Sequence, residues 1–93
     1  MPLDIIVRLW SRPGHWDGFR QFEDRALQIM ADHGAQLVRI ERPSGKDCPD
    51  EVHHLTFPDL GALEAYRADP RVQAMASLRK RVILKSEIEG API

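Results

Sequence analysis

Two adjacent histidines, His53 and His54, stand in the run Val52-His53-His54-Leu55-Thr56-Phe57. A run this rich in β-branched and aromatic residues reads as a strand, in which neighbouring side chains point to opposite faces. The two imidazoles therefore cannot chelate one metal ion together. His53 shares parity with Leu55 and Phe57 and is expected to look into a helix-covered pocket, where a neutral imidazole has the chemistry of a general base or of a ligand-orienting group. A hydrogen-bonded core or rim histidine is the plainer reading of that position. His54 falls on the other face with Arg8, Arg39, Thr56 and Lys85. That cationic set suits a carboxylate, a phenolate or another small anion, because arginine offers a two-pronged donor. Ion pairing across a dimer with Glu41 and Glu87 is the plainer reading there.

A third candidate is aromatic. Trp10, His15, Trp16 and Tyr66 are expected to gather where the first strand hands over to the first helix, walling a planar ligand. Packing competes with this: Trp16 suits a hydrophobic staple at the helix start and Tyr66 an ordinary core position. Asp17, Glu23 and Asp24 are expected on the solvated side of the same helix. Cys48, the only cysteine, sits in Ser44-Gly45-Lys46-Asp47-Cys48-Pro49-Asp50 and reads as an exposed loop thiol. One cysteine permits no internal disulfide and no zinc site built on thiolates. A phosphate loop, a dinucleotide glycine fingerprint, an HExxH helix and a nucleophile elbow are all missing from the sequence. Neither a cofactor nor a metal is expected.

The elements that must position these residues follow from periodicity. Ile5, Val7 and Leu9 alternate with Ile6, Arg8 and Trp10, which predicts a strand over about 3 to 11. After Arg12-Pro13-Gly14, helical spacing links Phe19, Phe22, Ala26, Ile29, Met30 and His33, with Gly34 placed for a left-handed cap. A second strand is expected over 36 to 41, with Val38 and Ile40 on one side and Leu37 and Arg39 on the other. Residues 43 to 50 read as a mobile hairpin connection, and 52 to 57 as a third strand. Asp59 and the pair Asp69-Pro70 each start a helical stretch, so the second helix is expected to be kinked or broken at Pro70. A fourth strand is expected over 81 to 88, followed by the tail Gly90-Ala91-Pro92-Ile93. Two strand-helix-strand halves predict an α+β, ferredoxin-like β-α-β-β-α-β domain, a single unit over 1–93. Its helix-covered face is expected to hold Ile5, Val7, Leu9, Val38, Ile40, Leu55, Phe57, Val82 and Leu84. Its open face is expected to hold Ile6, Trp10, Leu37, Val52 and Ile83 beside the cations, a patch that predicts a homodimer.

At Phe57-Pro58-Asp59, at Ala65-Tyr66-Arg67-Ala68-Asp69-Pro70 and on to Leu78-Arg79, the chain resembles the domain-of-unknown-function family numbered 1330, within the dimeric α+β barrel superfamily. The likeness extends over nearly the whole chain, including His33-Gly34 and Ile88-Glu89-Gly90. It implies a ferredoxin-like protomer and a homodimer, and it implies no particular activity. The wider superfamily includes cofactor-free monooxygenases, isomerases and heme-dependent enzymes, so the fold alone does not choose among them.

Composition narrows the partners. Thirteen Lys and Arg against fourteen Asp and Glu, spread along the chain, leave no basic stripe of the kind that nucleic acid requires. No apolar stretch approaches a membrane span, and Met1-Pro2-Leu3-Asp4 shows no basic segment followed by an apolar core, so the expected location is cytoplasmic and away from the membrane. The leading expectation is a dimeric α+β barrel protein that binds a small organic ligand between sheet and helices. The alternatives are a cofactor-independent monooxygenase or isomerase acting on an aromatic or polyketide-like substrate, with His53 as base, and a structural interaction module.

Overall fold

Alternation along the first nine-residue strand and the helical stripe that follows it are realised in a computed structural model that describes residues 1–91. The chain runs β1 (Leu3–Ser11), α1 (Trp16–Asp32), β2 (Gln36–Glu41), β3 (Glu51–Phe57), α2 (Leu60–Ala68), α3 (Pro70–Ala74), α4 (Ala76–Val82) and β4 (Ile83–Glu89). Of the expected tail, Pro92 and Ile93 lie outside the described residues. The sheet has the order β2-β3-β1-β4 with every neighbouring pair antiparallel. This is the expected ferredoxin-like α+β arrangement, with the helices on one face.

Helix α1 buries Phe19, Phe22, Glu23, Ala26 and Ile29 against the sheet. It crosses the end of α4 at Gly18, where an added Cβ would lie 2.8 Å from Val82 Cγ1. The helix stops at Gly34, whose φ of +85° is the left-handed conformation that closes a helix. Asp59 caps α2 by accepting from the Ala62 amide at 2.8 Å, and Asp69 caps α3 by accepting from the Arg71 amide at 2.8 Å. Both caps are as expected. The segment breaks once more at Met75, however, so three short helices stand where one broken helix was anticipated. His33 Nε2 and Arg71 Nη2 each lie 2.8 Å from Asp69 Oδ2, tying the end of α1 to the α2–α3 junction.

The core has two parts. Leu9, Phe19, Phe22, Ala26, Ile29, Met75, Val82 and Ile83 form one cluster, and Ile5, Leu55, Phe57 and Leu63 form the other. Val7, Met30 and Tyr66 touch both.

Two edge-strand expectations are corrected by bulges. Leu37 pairs with Leu55 and Arg39 with His54, so Val38 is an extra residue in β2. Leu37 thus takes the helix-side parity assigned to Val38, which is 66% exposed. Likewise Ser11 pairs with Ile83 and Trp10 with Lys85, leaving Leu84 as the extra residue of β4. Ile83, expected on the open face, is in the core, while Leu84 is exposed. The physical reason is that α4 runs through Val82, so the strand starts at Ile83, two residues later than the expected 81. The β2–β3 connection is also tied down. Asp50 accepts from the Ser11 amide at 2.7 Å and the Asp47 carbonyl accepts from Trp10 Nε1 at 3.3 Å.

Candidate functional site

A cavity of about 190 Å³ lies at the seam between the two core clusters. Its walls are apolar side chains of the sheet, among them Ile5, Val7, Leu9, Leu55 and Phe57, and of the helices, among them Phe22, Ala26, Met30 and Leu63. The polar groups in the wall are few: Glu23 from α1, His53 from β3, Tyr66 and Arg67 from α2, Arg79 from α4 and Ser86 from β4. Arg67, Arg79 and Ile88 are exposed and mark the mouth. Cavities of this kind, mostly apolar with a few placed polar groups, are the usual form of a small-molecule site.

His53 is where strand parity puts it, facing the helices and 1% exposed. It does not stand alone. Its Nε2 lies 2.8 Å from Glu51 Oε1, and its Nδ1 lies 3.5 Å from Glu23 Oε2. Glu51, at 0% exposure, also binds Arg20, while Arg42 Nε donates to Glu51 Oε2 at 3.1 Å. Burial works against ionisation of Glu51, but the His53 hydrogen bond and the Arg20 charge outweigh it and hold the carboxyl below the usual carboxylate range. Glu23, only 3% exposed, has no such set of donors. Burial first, and then the charge of Glu51, push its carboxyl up to about 7 against the weaker pull of Arg20 and Arg79. Two carboxyls a few side chains apart are thus poised oppositely, one kept ionised and one able to hold a proton near neutrality.

Burial, with Glu23 nearby, pushes the Tyr66 phenol up to about 12, so it stays a neutral hydrogen-bond donor. Its ring lies edge-on to His33 at 6.3 Å and tilted against Phe57 at 6.2 Å.

The other expected residues lie elsewhere. Trp10 is on the open face, with Lys85 Nζ 4.6 Å over its ring. Trp16 is the first residue of α1 and stacks on Phe19 at 5.1 Å, within the helix rather than as a staple across its cap. Trp10, Trp16 and Tyr66 therefore do not share one wall, because Trp10 has the parity of Arg8 and so faces away from the helices. The open-face cations are matched by carboxylates of the same chain. Arg8 lies 3.5 Å from Glu89, Arg39 lies 3.5 Å from Glu41, Lys85 lies 3.4 Å from Glu87, and His54 hydrogen-bonds Glu41. Among the described residues, no group of three or more His, Cys, Asp or Glu is arranged to hold a metal ion. No helix among them is long and apolar enough to cross a membrane.

Glu23 corrects an expectation directly. It was placed on the solvated side of α1 with Asp17 and Asp24, but position 23 lies four after Phe19 and three before Ala26, on the buried stripe. Glu51 falls between the loop expected over 43 to 50 and the strand expected over 52 to 57. As the first residue of β3, two before His53, it has the same parity, and that spacing was the available signal.

No family model matches the chain, and no curated protein matches it by sequence. Solved structures do. A protein of unknown function from Rhodopseudomonas palustris superposes with a TM-score of 0.82 at 13% identity, over 95% of this chain and 78% of that one. A dimeric protein of unknown function and ferredoxin-like fold from Bacteroides fragilis gives 0.69 at 10% identity, over 95% and 92%. SnoaB, a cofactor-independent oxygenase from Streptomyces nogalater, gives 0.67 at 16% identity, over 99% and 94%. The chain has the ferredoxin-like fold of these proteins. At such identities the likeness extends to the fold alone.

Proposed function

We propose that this chain binds a small, largely apolar ring compound in the cavity between its helices and its sheet, and that it does so as a homodimer. Membership of the domain-of-unknown-function family 1330, resembled from Phe57 to Arg79, belongs to the same reading. The observation that carries it is the cavity itself, about 190 Å³ at the junction of two core clusters and lined mainly by apolar side chains. An apolar cavity of about 150 Å³ is large enough for benzene, so one six-membered ring with a small substituent fits the space. Packed interiors do not ordinarily leave such a volume empty.

The test is a titration of the protein with phenol, followed by amide shifts of Val7, Leu55 and Tyr66. Saturable shifts are expected in the wild type and are abolished in Ala26→Leu, which fills the cavity from α1. A wild type whose cavity amides do not move, with phenol or with any of a panel of single-ring compounds, ends the reading. Dimerisation is tested separately by sedimentation equilibrium. It is supported by the open face, where Trp10 and Ile6 lie among both signs of charge. A monomer for the wild type, or a Trp10→Asp variant no less associated than the wild type, removes the dimer without touching the cavity.

A second reading, a cofactor-independent enzyme of the oxygenase or isomerase kind, is favoured by a specific observation: Glu23 and His53 both stand in the cavity wall.

A further inference from the structure

We infer that Glu23 is the acid–base group of this cavity, and that it isomerises small, neutral cyclic ketones by moving a proton between two carbons of an enolisable ring. The inference rests on the cavity reading above and adds a reaction and a substrate class to it.

Geometry singles out Glu23 among the buried carboxyls. Glu51 is occupied by His53, Arg20 and Arg42. Glu23 borders the cavity, and its contact with His53 Nδ1 is 3.5 Å, longer than a hydrogen bond. Its carboxyl therefore has capacity left for a ligand. The groups that face it are Arg20 and Asp24 of its own helix, Glu51 and His53 of β3, Tyr66 of α2 and Arg79 of α4. Their balance sets its proton affinity near neutrality, where a general base works best.

The same surroundings define the substrate. Apolar walls disfavour an anion deep in the cavity, and Arg67 and Arg79 stand only at its mouth, so the ring enters uncharged. Tyr66, a neutral phenol in the same wall, makes no hydrogen bond to another side chain among the described residues and can donate to a carbonyl oxygen.

In a β,γ-unsaturated ring ketone, the ionised Glu23 carboxylate takes the proton from the carbon between the carbonyl and the double bond. That C–H bond breaks, its electron pair enters a dienolate, and Tyr66 donates a hydrogen bond to the oxygen that gains charge. The Glu23 carboxyl then returns the proton to the far end of the dienolate, forming a new C–H bond and the conjugated ketone. Nothing is oxidised or reduced, and no co-reactant is needed. His53, held by Glu51, stands 3.5 Å from Glu23 and separates it from that second carboxylate.

The test uses cyclohex-3-en-1-one, whose conversion to cyclohex-2-en-1-one is followed by ultraviolet absorbance. The wild type is expected to exceed buffer catalysis, with a rate that rises with pH through an inflection near 7. Glu23→Gln is expected to lower the rate by about a hundredfold or more while phenol still binds. Glu23→Asp, which keeps the charge but withdraws the carboxyl by one methylene, serves if the glutamine variant fails to fold, and is expected to slow the reaction by a larger factor than it weakens phenol binding. His53→Asn is expected to displace the inflection rather than abolish the rate. A Glu23→Gln or Glu23→Asp variant as fast as the wild type overturns the inference. So does a wild type that binds phenol yet isomerises no faster than buffer, and that outcome leaves the cavity reading standing. A folded wild type that neither binds phenol nor isomerises the ketone removes both.

Discussion

His53 and His54 are neighbours in one strand, and each is hydrogen-bonded to a glutamate, yet they occupy opposite worlds. On the helix side, His53 and Glu51 are almost fully enclosed and share their charge with Arg20, Arg42 and Glu23. On the open side, His54 and Glu41 are in contact with solvent, in a field of similarly exposed pairs. The contrast shows how one residue type acquires a different meaning from a single step along a strand. Desolvation makes every unpaired charge costly on one face, and water screens the same pairs on the other.

The largest effect expected from this contrast comes from Glu51→Ala. It strips His53 and Arg20 of their buried partner and is expected to cost about 3 kcal/mol in chemical denaturation. A loss no greater than that of an exposed substitution would erase the difference between the two faces. Next is a pH effect. Glu23 keeps its proton in the folded chain up to about 7, whereas an ordinary carboxyl loses it near 4.5. Its contribution is fully present below the lower value and is lost as the pH rises through the upper one, by about 3 kcal/mol in all. Glu51, held below its ordinary value, acts with the opposite sign and withdraws stability only in acid. Denaturation midpoints of wild type and Glu23→Gln across pH 4 to 8 isolate the first contribution, because the variant is expected to lose that slope. Smaller is Gly18→Val, in which the new side chain meets Val82. It is expected to cost about 2 kcal/mol by overpacking, read as a lowered midpoint with the fold retained. Smallest is His54→Ala, which is expected to leave the denaturation midpoint unmoved in solution dilute enough to keep the chain monomeric. A clear loss there would mean that the open face is more enclosed than it is in the isolated chain, as a dimer would make it, and its concentration dependence would identify that cause.

Much of the scaffold was legible because β1 and β3 lie at the centre of the sheet and obey simple alternation. From Ile5, Leu9, Leu55 and Phe57 alone the interior face follows, and His53 with it. Caps at Asp59, Asp69 and Gly34 were readable because each needs a particular residue type. The edge strands were harder. The extra residues Val38 and Leu84 are ordinary apolar residues that no glycine or proline announces, and each inverts the parity on one side of itself. Residue type also outweighed spacing in the reading of Glu23. Acids are expected in water, and only the company of Phe19, Ala26 and His53 says otherwise. The break at Met75 carries no local signal comparable to Asp69-Pro70. Trp10 illustrates the reverse case, since its alternation with Leu9 and Val7 places it on the face opposite the helices and Tyr66.

The two bulges sit on the two outermost strands, β2 and β4. A strand at the rim of a sheet exposes a row of unpaired amides and carbonyls on which another chain can build, and an irregular rim makes a poor template. With Val38 and Leu84 breaking the repeat at both rims, lateral growth of this sheet into filaments is discouraged, and assembly is directed away from strand edges.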